Sequence, residues 1–489
     1  MKDFYDIVVI GGGSAGYAAA RTAVEDSEVS VALIEGGEQT AGLCILKGCM
    51  PTKALLESAH RLHEIKRASR FGLKVPAAEP NWKKIVKRKD ALINEFSNYR
   101  EQQQRGGKFD FIQGKARFLD EQSIEVTFRE SGKSKVIKSK TFVIATGSRV
   151  AIPQAEGLDD VGFITSDEAL HQIKPWKSLT VLGAGPVALE LAQYFSHLGV
   201  NVKIIQRSGQ FLSAGDSDVA QVLEKVFREE GMEVYTGTEL LRFEKLKTKK
   251  GKPAKKRVRF KQGKKEVTVS SEEILCALGR RANTDSLDLE AAKVKTNSGR
   301  IRVRLTQQSS QKHIFAAGDV CGPYEVVHVA ISQGELAAKN ALALVQQGKS
   351  RKSPKLARMD YRLIMTVTFT NPEVATVGKS EKDLQAEKKD YLMATYPFDD
   401  HGKSMVMGAL DGFVKLLADP KKGTILGAQI VGPHASDLIH ELTALMAFKG
   451  TVYDLAKMPH YHPTLAEILT YPAEEIADCM AARSPRLKK

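Results

Sequence analysis

The 489-residue sequence has no long apolar run and few cysteines. A transmembrane helix needs about 18 consecutive apolar residues, and no such stretch occurs, so we expect no membrane span. No basic region, apolar region or cleavage site precedes the strand-like segment at residues 6–10, which predicts a cytoplasmic protein without a signal peptide. Five cysteines are too few for the disulfide framework of a secreted protein. A close cysteine pair is then more often catalytic or metal-binding than structural.

The composition is that of an ordinary globular protein, 42% hydrophobic and 27% charged, and the length predicts about two to four domains. The net charge of +15 is compatible with a polyanionic partner or with a basic surface that faces anionic cofactors and substrates. Residues 244–264 are dense in Lys and Arg. Residues 241–243 and 257–260 alternate as the strands of a β-hairpin, with Gly251 and Pro253 at its tip. Because aromatic residues do not alternate with the basic ones, we expect a solvated hairpin. The non-enzymatic alternative is a protein that binds a polyanion, either nucleic acid or a membrane surface.

Two segments have the pattern strand, glycine turn, helix, at residues 6–24 and 179–198. A short apolar strand follows each, at 30–35 and 201–206. This is the opening βαβ unit of a nucleotide-binding fold, and it occurs twice. The sequence therefore predicts two related nucleotide domains.

The first turn has the pattern G-x-G-x-x-G directly after a strand. Glycine permits the tight turn and the close approach of a pyrophosphate to backbone N–H groups at a helix N-terminus. Glu35, at the end of the next strand, can accept hydrogen bonds from ribose hydroxyls. The pattern predicts a dinucleotide site, with a purely structural turn as the alternative. The candidate contacts in the turn are Gly11, Gly13, Ser14, Ala15 and Gly16.

The second turn contains Gly183 and Gly185, but Ala188 replaces the third glycine. Its following strand ends in Gln206 and Arg207 rather than in an acid. Loss of the acid removes repulsion toward a 2′-phosphate, with which a guanidinium could pair. This favours NADPH over NADH; alternatively, Arg207 is solvated and Gln206 binds the ribose of NAD.

Cys44 and Cys49 have the spacing C-x4-C. On a regular helix their Cα atoms would be about 8–9 Å apart, whereas a disulfide tolerates about 7 Å at most. The helix must therefore be distorted between them, and Gly48 and Pro51 suit that distortion. A locally closed, strained disulfide is the labile, catalytic kind.

A helix N-terminus and the cations Lys47 and Lys53 are expected to lower a thiol pKa in this segment. Zinc is the competing interpretation of the pair. No second C-x-x-C and no local histidine pair completes four ligands, so we predict redox chemistry and no metal.

The remaining segments predict further strands and helices. Residues 99–140 alternate as antiparallel hairpins, and 141–146 form an apolar strand. A linker is expected at 348–354, followed by a mixed domain. The fold class is therefore α/β, with two Rossmann-like nucleotide-binding domains and a C-terminal α+β domain. Strands of that last domain are predicted at 365–369, 413–418 and 423–431, and helices at 436–448 and 465–482.

Residues 42–60, GLCILKGCMPTKALLESAH, resemble the redox-active segment of the class I pyridine nucleotide–disulfide oxidoreductases. That family includes dihydrolipoamide dehydrogenase, glutathione reductase and mercuric reductase. The resemblance covers essentially the whole chain, and the two glycine turns occur in the family's order. Further matching motifs are Ala145-Thr146-Gly147, Leu278-Gly279-Arg280-Arg281, Ala317-Gly318-Asp319 and His462-Pro463-Thr464.

The resemblance implies FAD and NAD or NADP as cofactors. It implies an FAD domain at 1–150 and 278–348, an NAD(P) domain at 151–277, and a dimerisation domain at 349–489. It also implies a homodimer, because the family's catalytic histidine reaches the cysteines of the other subunit. A dithiol or disulfide substrate is expected, and no nucleic acid or membrane partner.

Residue roles are carried over from the same resemblance. Cys49 would face the flavin and form the thiolate–flavin charge-transfer complex, and Cys44 would exchange with the substrate. Lys53 would contact the flavin near N5 and pair with Glu190. Asp319 would bind the ribityl chain. Further candidate cofactor contacts are Thr146, Gly147 and Arg280.

His462 precedes a predicted helix that contains Glu467. A carboxylate bonded to one ring nitrogen fixes the tautomer and raises the basicity of the other, which suits a base for a thiol substrate. A lone His–Glu pair is more often structural, but in the family these positions match the catalytic histidine and its partner.

Within the family, the His-x-His-Pro-Thr arrangement is similar to dihydrolipoamide dehydrogenase, which is the activity we predict, with a role in redox homeostasis. Residues 188–193 and 206–208 look like the nicotinamide domain of mercuric reductase, but only Cys479 lies near the C-terminus, where that enzyme has a vicinal cysteine pair. An NADPH-dependent mercuric-ion or glutathione-type reductase is therefore the alternative. Leu43 and Lys47 differ from the residues that are usual at these positions of the family's cysteine segment. The identity of the disulfide substrate therefore stays open.

Overall fold

The computed structural model describes residues 1–25, 27–247, 254–347 and 354–483. The chain forms two compact units. The first comprises Met1–Ala54, Lys87–Ala151 and Arg280–Asp360, and the second comprises Leu55–Val86, Ile152–Gly279 and Tyr361–Lys489. The division into three domains stays a prediction, and its expected linker at 348–354 lies outside the described residues except for Pro354.

The described chain contains both helices and strands. The helices are α1 (Ser14–Glu25), α2 (Gly42–Leu46), α3 (Cys49–Arg67), α4 (Trp82–Arg105), α5 (Leu158–Val161), α6 (Ser166–Ala169), α7 (Pro186–His197), α8 (Ser217–Glu229), α9 (Val327–Gln346), α10 (Glu381–Ala386), α11 (Gly402–Met407), α12 (Ala435–Ala447), α13 (Val452–Lys457) and α14 (Thr470–Arg483). The first strands are β1 (Phe4–Ile10), β2 (Val31–Glu35), β3 (Asp110–Phe118), β4 (Ser123–Phe128), β5 (Ser134–Ile144), β6 (Ser148–Val150), β7 (Ser178–Leu182), β8 (Asn201–Ile205), β9 (Glu233–Tyr235), β10 (Thr238–Lys245) and β11 (Lys256–Gln262). The later strands are β12 (Lys265–Ser271), β13 (Glu273–Cys276), β14 (Arg280–Ala282), β15 (Thr296–Asn297), β16 (Arg300–Ile301), β17 (Ile314–Ala316), β18 (Met365–Thr368), β19 (Glu373–Gly378), β20 (Leu392–Pro397), β21 (Phe413–Ala418) and β22 (Ile425–Gly432).

The first unit is built on a parallel sheet. Strands β3, β2, β1, β5 and β17 pair in parallel in that order. β4 joins the outer halves of β3 and β5 in antiparallel pairing, which makes the hairpins that the alternating pattern predicts. The central strands are buried on both faces and read as continuous apolar runs, as parallel strands do. Both predicted βαβ units are confirmed, the first by β1, α1 and β2.

The predicted hairpin start is wrong for residues 99–105, which belong to helix α4. This segment, YREQQQR, consists mainly of long straight-chain residues that lose little rotamer freedom in a helix. Gln104 is completely buried here and donates through Nε2 to the Gly12 carbonyl oxygen at 2.6 Å. A tertiary contact to the first glycine turn thus supports the local helix preference.

Helix α1 packs closely on α9 in the first unit. A Cβ added to Gly334 of α9 would lie 2.2 Å from the Ala15 carbonyl oxygen of α1. Such a distance is impossible without backbone movement, so glycine is required at this crossing. The close approach fixes the direction in which the N-terminus of α1 points.

The second unit contains a parallel sheet in the order β13-β7-β8-β9, covered by α7 and α8. A separate antiparallel sheet has the order β10-β11-β12. β10 and β11 are the two strands of the predicted basic hairpin, so its strand pairing is confirmed. Its expected tip, with Gly251 and Pro253, lies outside the described residues.

The C-terminal part of the second unit is an antiparallel sheet in the order β18-β19-β22-β21-β20, packed against α12 and α14. The predicted α+β character is confirmed, although β19 and β20 were not predicted and the helix expected at 465–482 begins as a 3-10 turn, Leu465–Leu469. Among the described residues, no helix is long and apolar enough to span a membrane.

Candidate active site

The first glycine turn has a geometry that only glycine fits at two positions. Gly11 has φ of 106°, and a Cβ there would lie 2.4 Å from the Ala145 carbonyl oxygen. A Cβ at Gly16 would lie 1.7 Å from the Gly11 carbonyl oxygen. By contrast, a Cβ at Gly13 would meet nothing closer than 3.8 Å. The turn thus leads tightly from β1 into the N-terminus of α1, where backbone N–H groups can receive a phosphate.

Glu35 lies at the end of β2 beside this turn. Its Oε2 accepts the Gly12 N–H at 2.7 Å, and its Oε1 accepts the Gly37 N–H at 2.6 Å. Each carboxylate oxygen retains a further lone pair for a ribose hydroxyl. The predicted ribose contact stays a prediction, but the side chain is held in place by two backbone groups.

The helix is interrupted between Cys44 and Cys49, as their spacing predicts. Helix α2 ends at Leu46, and α3 begins at Cys49, with Lys47 out of helical geometry at φ −142°. Gly48 lies at the break, where a Cβ would be 3.1 Å from the Leu43 carbonyl oxygen. The two cysteines therefore belong to different helical segments, and the distance limit of a continuous helix does not apply to them.

Gly42 joins the cysteine segment to the first glycine turn. It has φ of 73°, and a Cβ on it would lie 2.6 Å from the Cα of Gly13. The backbone of α2 therefore lies directly against the predicted pyrophosphate loop. A cofactor bound at the loop would lie near the start of the cysteine segment.

Both cysteines are free thiols, half-buried, and their side chains are hydrogen-bonded to one another. That hydrogen bond, burial and the charge of Cys49 raise the pKa of Cys44 well above its usual range, against a lowering effect of Lys53. The expectation of a lowered thiol pKa is therefore wrong for Cys44. The physical reason is that two neighbouring sulfurs cannot both ionise easily, so the dithiol loses one proton and keeps the other on Cys44.

Asp319 is bound to a serine that the sequence did not predict. Ser148 donates its hydroxyl to Asp319 Oδ2 at 2.6 Å. Arg280 donates to that same hydroxyl at 2.7 Å and to the Ser148 carbonyl oxygen at 2.9 Å. Arg280, a predicted cofactor contact, thus orients Ser148, and Ser148 orients Asp319. The position of Ser148 directly after the Ala-Thr-Gly motif is a signal that could have identified it.

The other predicted contacts of the first unit lie in the same network of loops. Thr146 donates its hydroxyl to the Asn283 carbonyl oxygen at 2.7 Å, and Gly147 has φ of 68°. The Gly318 N–H donates to Gln333 Oε1 at 2.7 Å. Gln333 is completely buried on α9, and its role was not predicted, because a single glutamine in a helix carries no recognisable pattern.

The second glycine turn repeats the first. Gly183 also has φ of 106°, and its Cβ would lie 2.5 Å from the Ala277 carbonyl oxygen. Gly185 is the N-cap of α7, and Pro186 occupies the first helical position. A backbone N–H at that position has no partner within the helix, so its absence in proline does not destabilise α7. Ala188 is buried in the core of the unit. The helix N-terminus is again open to a phosphate.

The residues that were predicted to select the nucleotide lie at the end of β8. Gln206 is buried, and its Nε2 donates weakly to the Gln210 carbonyl oxygen at 3.4 Å. Arg207 is exposed. The choice between NAD and NADP stays a prediction.

Glu190 is buried in the middle of α7, and its Oε1 accepts the Phe369 N–H at 2.9 Å. This contact ties α7 to the chain just after β18 within the second unit. The predicted pairing of Glu190 with Lys53 stays a prediction.

His462 and Glu467 form a directed pair. His462 Nδ1 is 2.9 Å from Glu467 Oε1, and Glu467 Oε2 accepts the Thr464 N–H at 2.9 Å. These bonds from Thr464 and His462 lower the pKa of Glu467, so the carboxylate stays charged. The His462 side chain is 78% exposed. Its Nε2 is therefore the ring nitrogen that is available to an incoming group.

FAD fits the residues of the first unit. The glycine turn and the open N-terminus of α1 could receive its phosphates. The ribose contact of Glu35 and the ribityl contact of Asp319 stay predictions, and both side chains are held in place by hydrogen bonds. Arg280 and Gln333 hold the loops of this arrangement in place through their hydrogen bonds to Ser148 and Gly318.

The family model for pyridine nucleotide–disulphide oxidoreductase matches residues 5–334, and the model for the dimerisation domain of that family matches residues 364–473. The chain belongs to this family. It is an FAD-dependent pyridine nucleotide–disulfide oxidoreductase of class I that uses a nicotinamide nucleotide, and it carries the family's dimerisation domain.

Curated relatives of the chain include dihydrolipoyl dehydrogenases and mercuric reductases. The chain is 30% identical to a dihydrolipoyl dehydrogenase of Bacillus subtilis over 96% of its length and 97% of the relative's. It is 33% identical to a mercuric reductase of Lysinibacillus sphaericus over 95% of its length and 81% of the relative's. The fold resembles the Cu(II) complex of the HOCl-induced flavoprotein disulfide reductase RclA from Escherichia coli, with a TM-score of 0.81 and 22% identity over 97% and 100% of the two chains. The predicted family, fold class and enzymatic nature are thereby confirmed.

Proposed function

We propose that this oxidoreductase acts as a dihydrolipoamide-dehydrogenase-like enzyme, which exchanges electrons between NAD(P)(H) and a small or protein-bound dithiol. The observation that carries the proposal is the exposed imidazole of His462, held by Glu467. A dithiol substrate must lose a proton to attack a disulfide, and an oriented, accessible imidazole is suited to accept it. A soft metal ion needs thiolates and no such base.

In the proposed reaction, His462 Nε2 accepts the proton of one substrate thiol. The resulting thiolate attacks Cys44 Sγ, a mixed disulfide forms, and the Cys44–Cys49 bond breaks with the electron pair leaving on Cys49. The second substrate thiol then attacks the mixed disulfide, so that the substrate leaves as a disulfide and the enzyme holds a dithiol. Cys44 takes the second proton, in keeping with the raised pKa of its thiol.

Bound FAD would supply the two-electron carrier between the dithiol and NAD(P)⁺. The chain's own residues hold the reactants for that transfer. The first glycine turn and Glu35 would bind the dinucleotide part, Asp319 would orient the ribityl chain, and Lys53 would supply positive charge beside the flavin ring. The charge of Cys49 is proposed to face that ring.

NADP is the proposed nicotinamide nucleotide. Gln206 presents no negative charge at the end of β8, and the neighbouring Arg207 is exposed and able to reach a phosphate. The missing acid removes the repulsion that a 2′-phosphate would meet, and a guanidinium can bind it through two parallel hydrogen bonds.

The proposed assembly is a homodimer in which His462 serves the cysteines of the partner subunit. The dimerisation-domain match supports it. Two large exposed side chains support it as well. Tyr461, next to His462 in the chain, is 83% exposed, and Phe448, which follows α12, is 87% exposed, which is unusual for such residues.

The decisive test compares two activities of one variant. His462→Ala should slow dithiol oxidation by about 100-fold, the range that a lost general base costs. Electron transfer from reduced nicotinamide to an artificial dye should stay near the wild-type rate, because it needs no substrate base. His440→Ala, an exposed histidine of α12, is the matched control and should leave both rates unchanged. Equal loss of both activities in His462→Ala would refute the role of this base.

The cysteine roles have a separate spectroscopic test. Cys49→Ser should abolish the long-wavelength charge-transfer absorbance of the two-electron-reduced enzyme, and Cys44→Ser should retain it. Survival of the band in Cys49→Ser would overturn the assignment.

Reduction of mercuric ion is the second candidate, because mercuric reductases are among the curated relatives at 33% identity. Rates with NADH and NADPH should be measured against lipoamide, glutathione disulfide and mercuric ion. We expect the highest kcat/KM for lipoamide. A higher value for mercuric ion would replace the dithiol assignment.

A further inference from the structure

Three ionisable side chains converge in the second unit, apart from every residue used above. His63 on α3, His197 at the end of α7 and Glu230 directly after α8 bring their ligand atoms within 4.8 Å of one another. His197 Nε2 lies 3.2 Å from Glu230 Oε1, and His63 Nε2 lies 3.8 Å from the same oxygen. Both imidazoles thus present the same ring nitrogen to one carboxylate oxygen.

We propose that His63, His197 and Glu230 form a binding site for a borderline divalent metal ion such as Zn²⁺. Two imidazole nitrogens and one carboxylate oxygen are the donor set that Zn²⁺ and its neighbours prefer, whereas Ca²⁺ and Mg²⁺ take oxygen ligands. The site goes beyond the proposed redox function. It also departs from the expectation of no metal, which considered ligands near the cysteines alone.

The residues around the three side chains bury and orient them, as is typical of a metal site. The His197 side chain is 2% exposed, while those of His63 and Glu230 are 14% and 13% exposed, which leaves an entry path. Gln193 donates to Glu230 Oε2 at 3.1 Å and fixes the carboxylate. The His63 and His197 rings are stacked, with centroids 4.1 Å apart, and the Nε2 atoms of both face Glu230 Oε1.

Two buried nitrogens beside the cluster have no hydrogen-bond partner among the described residues. They are His197 Nδ1 and His60 Nε2. When a metal binds His197 Nε2, the proton of that nitrogen can move to Nδ1 of the same ring. His60, whose ring centroid lies 5.7 Å from that of His197, is the nearest further imidazole.

Arg67 gives the proposal a sharp test. Its guanidinium lies 3.0 Å from His63 Nε2, and because arginine can only donate, that nitrogen must present its lone pair to Arg67. The guanidinium therefore uses the lone pair that a metal would bind. A bound ion must displace Arg67 from His63, and removal of the guanidinium should strengthen metal binding.

A metal ion bound at this site would link three helices. α3 begins at the reactive Cys49, and α7 begins at the second glycine turn. A metal on His63, His197 and Glu230 would fasten the far end of α3 to the C-terminal ends of α7 and α8. It should stabilise the folded enzyme by mass action without entering the redox reaction.

The test uses the oxidised holoenzyme of Cys479→Ser, so that no exposed thiol competes for the ion. After treatment with a chelator and its removal, Zn²⁺ is titrated by calorimetry, and the melting temperature is recorded with and without Zn²⁺. We expect one ion per chain and a rise in melting temperature. Glu230→Gln and His63→Gln should weaken binding by at least about tenfold, in line with the loss of a metal-site group. Glu229→Gln, an exposed neighbour, should leave binding unchanged.

Arg67→Gln should bind Zn²⁺ several-fold more tightly than the parent protein does. This variant tests the metal site even if a ligand variant does not fold. Co²⁺ binding should give the visible absorbance of a nitrogen- and oxygen-ligated ion, without a thiolate band. The proposal is overturned when neither the parent nor Arg67→Gln takes up one Zn²⁺ per chain, or when Glu230→Gln binds as well as the parent.

Discussion

The two glycine turns of this molecule are alike at their first residue. Gly11 and Gly183 have the same φ of 106°. An added Cβ would lie 2.4 Å from the Ala145 carbonyl oxygen in the first turn and 2.5 Å from the Ala277 carbonyl oxygen in the second. In both turns the chain must reverse against the end of a neighbouring strand, and only glycine permits that path.

The turns differ at the third position of the motif. In the first, a Cβ at Gly16 would lie 1.7 Å from the Gly11 carbonyl oxygen, whereas Ala188 occupies the corresponding place in the second. The first helix is also held tightly against α9 through Gly334, which leaves it no room to move. The requirement for a third glycine therefore comes from packing around the turn and not from the turn alone.

The turns differ again in the residue that ends the following strand. Glu35 is bound by two backbone N–H groups, while Gln206 makes one weak side-chain contact at 3.4 Å. A charged, anchored acid is specific for ribose hydroxyls. A neutral amide next to an exposed Arg207 leaves room for a phosphate. This contrast motivates the proposal that the first unit binds FAD and the second binds NADP.

The largest expected effect is that of Gly16→Ala compared with Ala188→Gly. The added methyl group must displace the turn or α1, so Gly16→Ala should be purified with little bound FAD. Ala188→Gly should retain FAD and cost about 1 kcal/mol of stability, the usual difference between the two residues in a helix. Flavin absorbance per chain and the unfolding free energy measure the two effects. A flavin-replete Gly16→Ala would contradict the packing argument.

The next effect is that of Glu35→Gln on FAD affinity. A charged acceptor becomes neutral, and hydrogen bonds to charged groups contribute about 1.5–3 kcal/mol, so the Kd for FAD should rise by roughly 10- to 100-fold. Fluorescence titration of the apoprotein gives the constant. The matched control is Glu38→Gln, an exposed acid close by, which should bind FAD as the wild type does. Equal affinities in the two variants would remove Glu35 from the cofactor site.

A smaller effect is expected at the second turn. Arg207→Gln should raise KM for NADPH by about tenfold, which corresponds to the loss of one charge-assisted contact. KM for NADH should stay the same, which makes NADH the internal control. Steady-state kinetics with both nucleotides decide the point. If NADPH and NADH respond alike, Arg207 does not contact the 2′-phosphate.

The smallest effect concerns acid stability around α7. Burial, followed by the charge of His197, lowers the pKa of both His60 and His63 to about 4. The unfolded chain takes up these protons first, near the ordinary histidine value of about 6.5, so stability should fall as the pH drops from there toward 4. Melting temperatures recorded across that range, with a chelator present, should show the decrease. His63→Gln should reduce its slope, and an unchanged slope would contradict the assignment.

Much of the site could be predicted because its signals are local. The glycine turns, the break between Cys44 and Cys49, and the spacing of His462 and Glu467 depend on residues that are near one another in the chain. Their geometry follows from backbone conformation and short reach. The helix at residues 99–105 was mistaken for a strand, because its buried contact through Gln104 to the first turn is not visible locally.

The sequence alone determined that two nucleotide turns and a redox-active cysteine pair exist, since each is set by steric limits within a few residues. Tertiary structure alone decided how Ser148 links Arg280 to Asp319, and which histidines converge on Glu230. Those groups come from distant segments and meet through the packing of helices and strands, which distributes its energy over many apolar contacts and leaves no short motif behind.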